Sequence, residues 1–215
     1  MIEATDPALY AYSGPPRLDE PHPSSERMRH LVGLYIRYMH PVHRFVDERH
    51  PDFWSRLDRP MEPKEALIVY AMCTIGALFL SKTAGTGHLD DLVYEFYRRA
   101  WAIKDQLPQD LLTIQTYLIM MPFFIVASQT EEGTKAQFLT LEIAKKINLA
   151  EQVQKLATQG RLSTTNKILR NTWRGVVWME VLVHLTTLQT VKIDVGTSLL
   201  DVRVPFLSQN SASLH

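Results

Sequence analysis

From residue 24 to about residue 190, apolar side chains recur every three or four positions, the spacing of one face of an α-helix. Ser24 or Ser25 can cap a first helix that carries Met28, Leu31, Val32, Tyr35, Tyr38 and Met39 on one side, and Pro41 ends or kinks it. A loop rich in Pro, Asp and Arg runs to Pro63, whose fixed φ suits the first turn of a second helix over 64–80. The stretch 83–87, with Gly85 and Gly87, breaks the chain. A third helix is predicted over 89–107, with Leu92, Val93, Phe96, Ala100 and Ile103 inward. Pro108 and Asp110 open a fourth over 111–127, disturbed at Pro122, and a fifth covers 132–147. Asn148 falls where a left-handed C-terminal cap is wanted, a role Asn fills second to Gly. A longer helix over 164–190 follows. Only 191–195 alternates like a strand, and one strand makes no sheet. The fold class is all-α, a single multi-helix bundle.

The ends read differently. Residues 1–24 hold five prolines (Pro7, Pro15, Pro16, Pro21, Pro23) and no apolar period, so they read as a disordered Pro-rich tail. Residues 206–215, rich in Ser and Asn, read as a second tail, which leaves 25–205 as the helical domain. At 215 residues the chain can bury about 70% of its unfolded surface, enough to fold without disulfide or metal. Its 23 Lys+Arg balance 23 Asp+Glu, which argues against direct binding of nucleic-acid backbone. The single cysteine, Cys73, excludes disulfides, zinc fingers and four-cysteine iron–sulfur sites within these residues. Residues 1–7 lack the basic and apolar regions of a secretory signal. The apolar stretches 66–80 and 111–127 carry Thr74, or Thr113, Gln115 and Thr116, and fall short of the roughly 20 residues of a membrane span. They read as buried core helices.

Candidate chemistry is sparse. His40, His43 and His50 cluster around Pro41 with Asp47 and Glu48, but a proline in the middle spoils the register a metal site needs, and no metal is expected. The 83–87 stretch is not a phosphate loop, and neither His-Glu-x-x-His nor Gly-x-Ser-x-Gly occurs. Cys73, mid-helix, reads as a small buried hydrophobe. Glu180 and His184 stand four apart on the last helix among Val176, Val177, Trp178, Met179, Val181 and Leu182. They are either an acid–base pair with shifted pKa values or an intrahelical pair at the edge of the core. Tyr117, Met120, Met121, Trp173 and Trp178 either fill the core or surround a void suited to a hydrophobic small molecule.

The order of segments resembles a known family. The run from Leu34 to Val46 is similar to an opening helix that closes on His-Pro (His40-Pro41) with an aromatic about four residues on (Phe45). Ile75-Gly76-Ala77-Leu78 resembles a second helix ending in Gly-Ala, and Tyr97-Arg98-Arg99-Ala100 a tyrosine–basic–Ala stretch. Leu112-Thr113-Ile114-Gln115-Thr116-Tyr117-Leu118 resembles a Thr-x-Gln segment. Ala144-Lys145-Lys146-Ile147-Asn148-Leu149 stands where a helix closes in Leu-Gly-Leu. Leu169-Arg170-Asn171-Thr172-Trp173 resembles an Arg–Trp entry to the longest helix, and Asp201-Val202-Arg203-Val204-Pro205 an acidic–aliphatic ending on Pro. Together, over about 28–205, these resemble the fungal-specific transcription factor domain, the middle homology region of fungal zinc-cluster regulators. Two family features differ here: Glu180-Val181 replaces an Asp-Arg pair, and Leu188-Gln189-Thr190 replaces a Gly-Arg-Pro turn. The six-cysteine zinc cluster and its basic linker have no counterpart in these residues.

The resemblance implies a regulator-like protein in the nucleus, without its own DNA-binding module. It would control a gene set, such as one for secondary metabolism, through an apolar effector, a DNA-binding protein partner or a second copy of itself. Neither direct nucleic-acid contact, nor membrane, nor cofactor is expected. The alternative is a cytoplasmic, cofactor-free cyclase or isomerase that confines an apolar metabolite, with Glu180, His184 and Tyr117 moving a proton or polarising a carbonyl. A third reading is a remnant whose bare apolar face drives association.

Overall fold

The computed structural model describes residues 23–84, 88–158 and 163–187, which form seven α-helices and no strand. The all-α class follows from the periodicity. The predicted tails up to residue 22 and over 206–215, and the alternating run 191–195, lie outside the described residues. The described residues begin slightly before the expected boundary: Pro23 is buried, and the Ser24 hydroxyl accepts the Arg27 N–H at 3.3 Å to cap α1 (Ser25–Tyr38). Met28, Leu31, Val32 and Tyr35 of α1 are buried, as their spacing requires.

Two helices make the interior. α2 (Pro63–Ala84) packs against α1, α3 (His88–Lys104) and α4 (Leu111–Val126), and α4 packs in turn against α5 (Thr130–Lys146) and α7 (Thr164–Thr187). Both are apolar nearly all round, the composition of a helix wrapped by others. Their buried threonines return their hydroxyls to the preceding turn: Thr74 donates to the Tyr70 carbonyl at 2.8 Å and Thr116 to that of Leu112 at 2.9 Å. α2 is four residues longer at its C-terminal end than its pattern predicts. By length and composition it could cross a membrane, yet 72% of its apolar window is buried inside the protein. Burial by neighbouring helices, rather than shortness, is what marks it as a core element. α4 runs unbroken through Pro122, and the Asp110 carboxylate caps it by accepting the Leu112 and Thr113 N–H groups.

Two elements go beyond what the periodicity predicts. α6 (Leu149–Thr158) lies between the predicted helices over 132–147 and 164–190, where no element is predicted, with Leu149 and Val153 buried one turn apart. The loop after α1 is ordered, not merely solvated. Phe45, Val46 and Leu57 enter the core, and Ser55–Asp58 makes a 3₁₀ turn whose Asp58 pairs with Arg29 of α1. Arg44 offers its carbonyl to the Asn171 side-chain N–H at 3.3 Å, tying this loop to α7. Asn148 has φ 51°, the left-handed conformation expected of it, and there the chain turns from α5 into α6.

Candidate cleft between the last three helices

A concavity lies beside that turn. α5 closes with Ile147 N–H bonded to the Ile143 carbonyl at 3.0 Å, and Asn148 N–H bonds to that of Lys145, also at 3.0 Å. α5, α6 and α7 each contact the other two. Between them lies an open cleft of about 500 Å³, within the size range of small-molecule sites. Its apolar wall is made by Leu141 and Ala144 of α5, Leu149 of α6, and Trp173 and Val176 of α7. Its polar groups are Lys145, Asn148, Glu151, Gln154 and Glu180. Glu151 is already matched by Lys155 at 2.8 Å, and that hydrogen bond holds its carboxyl below the usual glutamate range.

The sequence-selected residues divide. Trp173 and Glu180 meet at the cleft. Tyr117, Met120 and Met121 are buried in α4 and do not line it. Tyr117 faces α3, its ring 6.1 Å from that of Trp101, and burial pushes its phenol up to about 12. Trp178 is a correction: it is 63% exposed, because the five positions from Trp173 carry it off the inward face that Trp173, Val176 and Glu180 share on the cleft side. The five residues selected as one pocket therefore do not assemble, nor do Tyr117 and Glu180 meet. The backbone of α7 continues past residue 184, but the His184 side chain lies outside the described residues.

The histidines serve the loop. His40 is buried, its Nε2 3.0 Å from the Val46 carbonyl and 3.3 Å from Glu48 Oε2. His43 stacks on Phe45 at 5.5 Å, and burial lowers its pKa. His50 is exposed beside Asp52. Among the described residues no three His, Cys, Asp or Glu side chains converge. Cys73 is fully buried, its thiol toward the Met28 carbonyl, and burial and then the Glu95 charge raise its pKa well above normal.

Glu95 is not among the residues the sequence singles out. It is 4% exposed on α3, accepts from Arg99 Nε at 3.2 Å and lies 3.9 Å from an Arg27 nitrogen of α1. A signal is present: Glu95 stands three residues after inward Leu92 and four before Arg99, on a helix flank turned toward its neighbours. An aromatic seam of Tyr97, Trp101, Phe123 and Phe124 also joins α3 and α4, with ring centroids 4.7–6.4 Å apart. Trp101 Nε1 donates to Glu132 of α5 at 3.2 Å, which extends the seam to a third helix.

The family model for the fungal specific transcription factor domain matches residues 32–193. No curated protein and no solved structure matches the chain. The matched span takes in the body of the bundle, from the middle of α1 to the end of α7, including all three helices around the cleft. Most of the chain lies within that one match, and the chain belongs to the fungal specific transcription factor domain family.

Proposed function

We propose that these residues form the regulatory body of a fungal transcription regulator, which acts in the nucleus and responds to an effector or a protein partner. The family match over residues 32–193 carries this reading. The cleft supports it by offering a place where a small molecule could bias the packing of α5, α6 and α7. With one cysteine and no net charge, these 215 residues hold neither a zinc cluster nor a basic excess, so contact with DNA is assigned elsewhere, to another segment or another protein. A set of biosynthetic genes is the first class of target to test. The placement of Tyr117 against Trp101 of α3, away from the cleft that Glu180 lines, favours the regulator reading over the enzyme one.

Deletion of the gene followed by transcript profiling is the test, with a tagged copy followed by microscopy. Transcripts of a defined gene set fall and recover on complementation, and the tagged protein is nuclear. An unchanged transcript profile under conditions where the protein is made overturns the reading.

A further inference from the structure

We propose that the cleft between α5, α6 and α7 is an effector site for an uncharged, largely apolar small molecule carrying a hydroxyl or carbonyl edge; this rests on the regulator reading above.

Three observations set the chemistry. First, size: about 500 Å³ suits a small organic molecule, not a lone ion and not a protein helix. Second, the wall of Leu141, Ala144, Leu149, Val176 and the largely buried Trp173 rewards apolar area and penalises a buried charge. Third, the polar groups carry both signs and both hydrogen-bond senses. Lys145 opposes Glu180 in sign, Glu151 is matched by Lys155, and the Asn148 and Gln154 amides donate and accept. Such a rim has no unbalanced field to hold an anion or a dication, but it can satisfy a neutral oxygen at the mouth. The left-handed turn at Asn148 keeps its amide at that mouth, since it joins the two helices that form the walls.

Other features of the surface carry less. The exposed Trp178 and Val181 of α7 have nothing seated on them that names an occupant, and the buried Arg27–Glu95–Arg99 cluster, whose Arg27 Nε has no hydrogen-bond partner, opens on no described cavity.

The test uses Nile red, an uncharged apolar dye with a carbonyl, against the anionic 8-anilinonaphthalene-1-sulfonate, in fluorescence titrations of the full 215-residue chain. Nile red binds one-to-one and at least tenfold more tightly than the anion. Ala144→Phe, which fills the cleft from its floor, weakens Nile red at least tenfold, whereas Trp178→Ser on the exposed face leaves it unchanged. If circular dichroism shows that Ala144→Phe is unfolded, Leu141→Trp at the half-buried edge replaces it, with the same tenfold loss expected. Tighter binding of the anion, loss on Trp178→Ser, or full binding by the folded cleft-filling variant overturns the site. Absent dye binding beside altered transcripts in the deletion strain overturns the site and spares the regulator reading. Dye binding in the cleft with unchanged transcripts does the reverse.

Discussion

Gly76 is where α1 and α2 touch, and adding a single methyl group there tests the packing of the whole N-terminal half. A Cβ built on Gly76 would stand 2.7 Å from the Leu31 carbonyl carbon and 3.0 Å from its Cα, with the carbonyl oxygen nearer still. These are backbone atoms, so no rotamer change relieves them. Carbon pairs rest at about 3.5 Å or more, so α1 must retreat by at least about 0.8 Å, and further to clear the carbonyl oxygen. A gap of that size forfeits a quarter to a half of the dispersion energy across the contacts it opens, and the seam holds Met28, Leu31, Val32 and Tyr35, all buried. Overpacking of this kind costs about 3 kcal/mol, the upper part of the usual range, because the obstruction is main chain. Alanine returns about 1 kcal/mol through helix propensity, leaving a net loss of about 2 kcal/mol for Gly76→Ala. At this chain length that lowers Tm by about 4–8 °C. Gly33 is the internal control. It lies in α1 with nothing within 4 Å of a built Cβ, so Gly33→Ala gains up to about 1 kcal/mol. Thermal and urea unfolding followed by circular dichroism compare the two. If Gly76→Ala is as stable as Gly33→Ala, the close approach of α1 and α2 is wrong.

Other perturbations follow from single contacts. Thr172→Val removes the buried acceptor 3.3 Å from Gln115 Nε2, so urea unfolding loses about 1–3 kcal/mol as the amide is left without that partner. Glu95→Ala leaves the Arg99 and Arg27 side chains facing a vacated buried carboxylate position; the cost is about 3 kcal/mol by the same assay, and a neutral result would remove Glu95 from the structural core. Glu132 has its pKa held below normal, first by the Trp101 N–H, so its contribution is present above the unfolded glutamate pKa and fades as pH falls through the lower folded value. Trp101→Phe therefore flattens the acid limb of a stability-versus-pH curve measured by thermal melts. Cys73 stays unmodified by a thiol reagent at pH 8 in the native protein and reacts fully in guanidinium, since the fully buried thiol is held protonated.

Helix positions are the most legible feature, because burial on one face repeats at a period that the chain must show in its composition. Ser24, Asp110 and Asn148 act at helix ends, where local hydrogen bonding and backbone sterics decide the outcome without reference to distant residues. α6 is hard to see although Leu149 and Val153 carry the helical spacing, because ten residues between Asn148 and a Gly-containing connection offer too short a run to stand out. The ordered loop after α1 is hidden for a different reason. Phe45 and Val46 have no period of their own; distant elements bury them, Phe45 lying close to Gly175 of α7.

The candidate site is half legible. Apolar and ionisable residues on the last helix single out Trp173 and Glu180, but nothing local says that Tyr117 and Met120 turn to α3 and the core while Trp178 turns to water. Chain order alone determined the all-α class, the family and most helix ends, since each depends on residues within a few positions of one another. Tertiary structure alone decided which helix faces meet, that Glu95 pairs across two helices, and that a cleft lies beside the turn at Asn148. Those outcomes depend on relative helix orientation, which is set by the summed packing of distant side chains and has no signature in any single window of sequence.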